Sequence, residues 1–91
     1  MDIQEAINLY IEYLIVEKGL SENTISAYKD DLNFFVGAID NLEDTDDLAP
    51  ELFSRFVRYE ALHQISPRTI VRRVSVIRNF YKFLQRENYY R

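Results

Sequence analysis

The chain has no cysteine, only two glycines and two prolines, and a single histidine in 91 residues. Without cysteine there is neither a disulfide framework nor a thiolate metal site. So few glycines and prolines disfavour a many-turned all-β fold. Gly19 and Gly37 stand alone, which excludes a glycine-rich phosphate loop. No apolar run approaches the ~18 residues that a membrane span needs. The opening Met1-Asp2-Ile3-Gln4-Glu5 also lacks the basic stretch of a signal peptide. These absences lead us to expect a soluble, cytoplasmic protein that does not engage a membrane. What is present is 47% hydrophobic and 14% aromatic, a composition that buries a core rather than staying disordered. The length suits one domain over residues 1–91 with a small core.

Catalytic and metal chemistry find little support. His63 falls at the end of an expected helix, where it serves the helix dipole better than acid–base work. Asp30-Asp31 and the acidic residues 44–47 invite a metal reading. The second group lacks the glycine and closing glutamate of a calcium loop, so it reads as a solvated connection. Most of the seven tyrosines lie on apolar stripes, and Tyr89 and Tyr90 read as packing or linker residues. No catalytic residue, metal site or cofactor is expected.

Helical periodicity predicts an all-α fold of four main helices. The first runs from Ile3 to about Lys18, capped by Asp2, with Ile3, Ile7, Tyr10, Ile11 and Leu14 inward. Gly19 suits the left-handed residue that ends it, with Leu20 as the apolar contact behind. The second spans Glu22 to about Ala38, burying Ile25, Tyr28, Leu32, Phe35, Val36 and Ile39. Residues 40–48 are acidic and aperiodic and read as a loop. The third begins near Pro50 and ends around His63 or Gln64, with Leu52, Phe53, Phe56 and Val57 inward. The fourth runs from Pro67 to about Glu87, roughly 30 Å.

Two helix starts are nearly the same: Leu20-Ser21-Glu22-Asn23-Thr24-Ile25 and Ile65-Ser66-Pro67-Arg68-Thr69-Ile70. In each, Ser is placed to cap the free N–H groups, and the preceding apolar residue can staple onto the Ile that follows. Pro67 takes the first helical position, where its missing N–H costs nothing. Such ends also suit a phosphate, with Ser21, Thr24, Ser66 and Thr69 in place to join the contact.

Charge is divided along the chain. Residues 1–66 hold 4 basic and 14 acidic side chains, a balance of −10; residues 67–91 hold 7 and 1, a balance of +6, which together give the net −4. On a helical wheel Ile70, Val74, Ile77, Tyr81 and Leu84 fall on one side of the fourth helix. Arg68, Arg72, Ser75, Asn79, Lys82 and Arg86 fall opposite, while Arg73 and Arg78 lie at the margins, placed to pack or to pair with acids. Arginine and asparagine bind base edges through paired hydrogen bonds, serine sits close to a phosphate, and a helix fits the major groove. Charge alone leaves a second reading open, a solvated face paired with the acidic helices.

Several residue groups stand together in order: Leu20-Ser21 with Asn23-Thr24, Tyr28 and Asp31-Leu32, then Ser66-Pro67-Arg68-Thr69-Ile70, Arg72-Arg73-Val74-Ser75 and Arg78-Asn79-Phe80-Tyr81-Lys82-Phe83-Leu84. Taken together, they resemble the N-terminal core-binding, SAM-like domain of tyrosine recombinases, the family of phage integrases and Xer-type resolvases. The resemblance covers Ile3 to about Tyr90. It implies a four-helix bundle that clamps one face of half-site double-stranded DNA while a catalytic domain clamps the other. The second and fourth helices would approach the major groove. It implicates Ser21, Asn23, Thr24 and Ala27 on the second helix, and Arg68, Thr69, Arg72, Ser75 and Asn79 on the fourth, with Lys82 and Arg86 as backbone contacts. Ala27 has no polar group, leaving at most a thymine methyl contact. The family's Arg, Lys, His and Tyr catalytic constellation belongs to a later domain and has no counterpart here. The resemblance therefore implies a non-catalytic, monomeric fragment of a protein that exchanges DNA strands through a phosphotyrosine, in a synaptic tetramer with other protomers. A helical adaptor whose basic fourth helix meets an acidic partner is the alternative. A helix-turn-helix regulator is disfavoured, because the long reader helix lacks the short preceding helix and tight turn.

Overall fold

The computed structural model describes residues 1–89; Tyr90 and Arg91, with the linker reading of Tyr90, lie outside the described residues. Four helices follow in order: α1 (Ile3–Val16), α2 (Glu22–Ala38), α3 (Glu51–Leu62) and α4 (Pro67–Arg86). A single 3₁₀ turn, Thr45–Asp47, lies between α2 and α3. The expected all-α architecture is the one observed.

The helix ends follow the local chemistry. Asp2 accepts from the N–H groups of Gln4 (3.0 Å) and Glu5 (3.1 Å), satisfying two orphan donors of α1. At the other end, Gly19 takes a φ of +61°, which lets the chain turn so that the Leu20 N–H donates to the Leu14 carbonyl (3.3 Å). The helix itself stops at Val16, two residues short of the expected Lys18. Ser21 and Ser66 cap α2 and α4 with matching geometry. Each Ser Oγ accepts the N–H of the third helical residue at 3.3 Å, and each hydroxyl donates to that residue's Oγ1 at 3.0 Å. His63 closes α3, its Nδ1–H donating to the Tyr59 carbonyl (2.8 Å) and its ring stacked on Tyr59.

Helix α4 is central: it packs on each of the other three, and α2 also packs on α1 and α3. Phe35, Phe56, Phe80, Ile7, Leu32, Ile77 and Leu84 are fully buried, each worth about 1.5–3 kcal/mol relative to exposure. Phe35 meets Phe56 edge to face at 5.2 Å, and Tyr10 bridges α1 to Phe80 (5.5 Å) and Phe83 (5.2 Å) of α4. Burial and the like-charged neighbourhood of Tyr28 and Tyr13 raise the Tyr10 hydroxyl pKa well above the phenol range.

Three expectations about burial need correction. Residues 40–48 are not simply a solvated loop. Leu42, Thr45 and Leu48 are buried, and the segment is strapped to the N-terminus by Ile3 N–H to Glu43 O (2.9 Å) and Thr45 N–H to Met1 O (2.8 Å). Its acids point outward while its apolar residues enter the core, a pattern too short to show a period. In addition, the buried arc of α4 is wider than the expected stripe and is rotated about 60° on the wheel. Val76, Phe80 and Phe83 are buried alongside Ile77, Tyr81 and Leu84, while Ile70 and Val74 are only half-buried. The arc is wide because α4 packs on all three other helices. Val57, expected inward, stays 36% exposed on the cleft between α3 and α4.

Candidate nucleic-acid interface

The rotation of α4 decides which cations remain free. Arg73, expected at the margin, falls within the buried arc, and its side chain is only 17% exposed. Its guanidinium lies 4.1 Å over the Phe34 ring, donates from Nη1 to Glu60 (2.8 Å) and from Nε to Asp31 (3.3 Å). Asp31 and Glu60 are themselves buried, at 2% and 0% exposure. One Glu60 oxygen, Oε1, has no hydrogen-bond partner among the described residues. Arg73 therefore compensates two carboxylates inside the α2–α3–α4 junction, where an unpaired charge would be costly.

Arg72 stands next to it but faces outward. It donates from Nε to Asp31 Oδ2 (3.1 Å) and from Nη2 to Oδ1 (2.9 Å), a two-pronged pair, while half of its side chain stays in solvent. Hydrogen bonding to Asp31, followed by its charge, raises the Arg72 pKa above the ordinary guanidinium value. Along the same outer face, Arg68, Ser75, Asn79, Lys82 and Arg86 are all exposed. Arg68 and Lys82 make no ion pair or hydrogen bond among the described residues, and neither does Arg78, which lines the α3 side. Arg68 to Arg86 spans about 27 Å along the axis.

Arg86 is partly engaged. Its Nη1 donates to the Tyr13 hydroxyl (3.2 Å), its guanidinium lies 4.6 Å over the Tyr13 ring, and Glu87 stands 3.9 Å away. That hydrogen bond lowers the Tyr13 pKa and raises that of Arg86.

The residues expected on α2 lie at its start. Ser21 and Asn23 are exposed, Thr24 and Ala27 half-buried. Helices α2 and α4 pass in opposed directions: Asp31 meets Arg72, while Tyr28, one turn earlier, shares a cleft with Asn79 and Lys82 further along α4. The same cleft includes Lys18, Leu20 and Arg86. The start of α2 thus stands beside the C-terminal half of the basic face, whereas the start of α4, with Ser66, Arg68 and half-buried Thr69, lies at the far end. Sequence reasoning missed Lys18; its place just before the first capping motif was the available signal. It also missed Asp31 as the partner of two arginines, which no local pattern reveals.

The two capped starts differ in electrostatics. At α4, Pro67 has no N–H and the Thr69 N–H is taken by Ser66, so Arg68 supplies the one open amide of the three, together with its own cation. At α2, the amides of Glu22 and Asn23 both remain open, but Glu22 brings a negative charge. Each Thr hydroxyl accepts from its Ser, which leaves its own hydrogen to donate elsewhere. Among the described residues no cluster of three or more histidine, aspartate or glutamate side chains is arranged to hold a metal. Among the described residues no helix is long and apolar enough to cross a membrane.

Comparison with known proteins fits this geometry. The family model described as the phage integrase N-terminal SAM-like domain matches residues 7–88. The chain is 35% identical over 88 residues to a tyrosine recombinase XerD of Listeria innocua, covering 93% of this chain and 30% of that relative. It is 39% identical over 89 residues to a tyrosine recombinase XerC of Anoxybacillus flavithermus, covering 94% and 29%, respectively. With a XerC of Herpetosiphon aurantiacus the identity is 36% over 91 residues, covering 91% and 28%. The chain thus spans about three-tenths of the length of these curated relatives, and the rest of their length has no counterpart in the 91 residues. No solved structure gives a significant match. Since the match runs through all four helices, the chain belongs to the phage integrase N-terminal SAM-like domain family.

Proposed function

We propose that this domain is the DNA-binding module of a site-specific tyrosine recombinase, holding half-site duplex through the outer face of α4 and the start of α2. The observation that carries the reading is the set of exposed cations on α4, Arg68 and Lys82 above all, that the acidic body does not neutralise. Ser75 and Asn79 stand exposed between them, supplying short hydrogen-bonding groups at the same face. Catalysis belongs to a separate domain of the parent protein. Within that parent the partners are double-stranded DNA and further recombinase protomers in a synaptic tetramer, in the cytoplasm.

Titration of a fluorescent duplex at rising salt tests this. With about five phosphates contacted, the log–log slope is near −4 to −5, and affinity falls roughly 500-fold between 50 and 200 mM salt. A flat salt dependence, or no binding at low salt, contradicts the proposal. A second reading rests on the α3–α4 cleft, where Phe53, Val57, Ala61 and Val74 form apolar walls edged by Arg58 and Arg78. An apolar cleft with cationic edges, one of them on the basic fourth helix, suits an acidic amphipathic helix and supports the adaptor reading. In that case Arg58→Ala weakens partner binding, whereas DNA binding through α4 leaves Arg58 without effect.

A further inference from the structure

Asp31 does more than neutralise charge. An arginine has five N–H donors on a planar fork. Asp31 takes the Nε–H and one Nη2–H of Arg72 with both of its oxygens, so the guanidinium plane is fixed against a buried carboxylate of α2. Oδ1 is itself held by the Arg73 Nε–H, and Arg73 is anchored in turn by Glu60, so the support is rigid on its far side. What remains on Arg72 is the end-on pair, Nη1 and the second hydrogen of Nη2. Nη1 has no partner among the described residues, and 54% of the side chain is in solvent. An end-on pair of parallel N–H donors matches two adjacent acceptors.

We propose that Asp31 is a positioning residue for Arg72, presenting its free Nη1/Nη2 edge to the O6 and N7 acceptors of a guanine in the major groove. This rests on the DNA-binding reading above and adds to it the origin of base preference. Guanine O6 and N7 lie side by side and accept such a fork, and one good bidentate contact discriminates against the wrong base by roughly 5- to 150-fold. A flexible arginine of the same charge would hold a phosphate equally well but would lose rotamer freedom on reading a base. The three competing uses of the pair give different results: positioning yields base preference, competition with DNA yields inhibition, and a purely architectural role yields neither.

The test enriches a randomised duplex library on the wild-type chain and on Asp31→Asn, Arg72→Ala and Arg72→Lys, at a temperature where each is folded. The wild type should enrich guanine at one position, and Arg72→Ala and Arg72→Lys should abolish that enrichment. Asp31→Asn should reduce it about tenfold with the salt slope unchanged. Because Asp31→Asn is able to unfold the junction, the Arg72 Nε–H resonance of the wild type is followed during DNA titration; it should stay protected in the complex. Loss of that protection, tighter binding by Asp31→Asn with a steeper salt slope, or an enrichment untouched by Asp31→Asn each overturns the inference while leaving DNA binding intact. So does a wild type that binds duplex without base preference, the outcome of a phosphate contact. A wild type that binds no duplex overturns the DNA-binding reading and this inference with it.

Discussion

Arg73 and Lys82 carry the same charge on the same helix, nine residues apart, and have opposite fates. Arg73 is drawn inward, sandwiched between Phe34 and two buried carboxylates. Lys82 stands in solvent with no ion pair among the described residues. Arg72 is intermediate, bonded on one edge to Asp31 and open on the other. The difference teaches that a basic stretch is not one functional unit. Part of the positive charge on α4 holds the bundle together and part is free for a polyanion. The boundary between them is set by the rotation of α4 against α2 and α3.

Breaking the buried side of this contrast gives the largest effect. Arg73→Ala strands Glu60 and removes one of the three hydrogen bonds that Asp31 accepts, and is expected to cost about 3–5 kcal/mol of stability by urea denaturation. A loss under 1 kcal/mol would show that the junction does not need its cation. On the outer side, Arg72→Ala should weaken duplex binding by about 1–3 kcal/mol if it reads a base. Lys82→Ala should weaken all sequences alike and lower the salt slope by about 1. Lys82→Ala should leave the melting midpoint in place, since Lys82 makes no ion pair or hydrogen bond among the described residues.

The two serine caps sharpen the comparison from a different side. Their hydrogen bonds are the same length, so Ser21→Ala and Ser66→Ala should each cost about 1 kcal/mol. Only the setting of Ser66 includes an unpaired arginine in the first turn, so equal stability losses with unequal effects on DNA would separate capping from phosphate contact.

The smallest effect lies at acid pH. The Asp44 carboxyl is held below the usual carboxylate range, chiefly by the Asp46 N–H and secondarily by the N-terminal ammonium. A depressed folded-state pKa contributes stability that is present above the unfolded value and disappears as pH falls through the folded one. Asp44→Asn should therefore lower the melting midpoint slightly at neutral pH, where the ionised carboxylate contributes, and converge with the wild type as pH falls, flattening the acid limb of a thermal-melt pH series.

Much of the fold was legible because its signals are local. Asp2, Ser21 and Ser66 cap through atoms three residues away or fewer, and Gly19 answers to its own φ. The outer face of α4 was legible for the same reason, since a wheel needs only a period. The inward part was not. Arg72 and Asp31 are 41 residues apart, and Arg73 and Glu60 are 13 apart across a turn. A carboxylate buried by tertiary packing looks in sequence like any exposed acid, and the paired Asp30-Asp31 first invited a metal reading. The strap at residues 40–48 was obscured because Leu42 and Leu48 are too sparse to form a period, although each is buried.

The most direct test of the division on α4 is amide and side-chain shift mapping during titration with a short duplex. The account predicts perturbation of Arg68, Ser75, Asn79, Lys82 and the Ser21–Thr24 turn, with Arg73 and Glu60 undisturbed. Shifts confined to the α3–α4 cleft around Val57 and Ala61, or opening of the Arg73–Glu60 pair on binding, would contradict it.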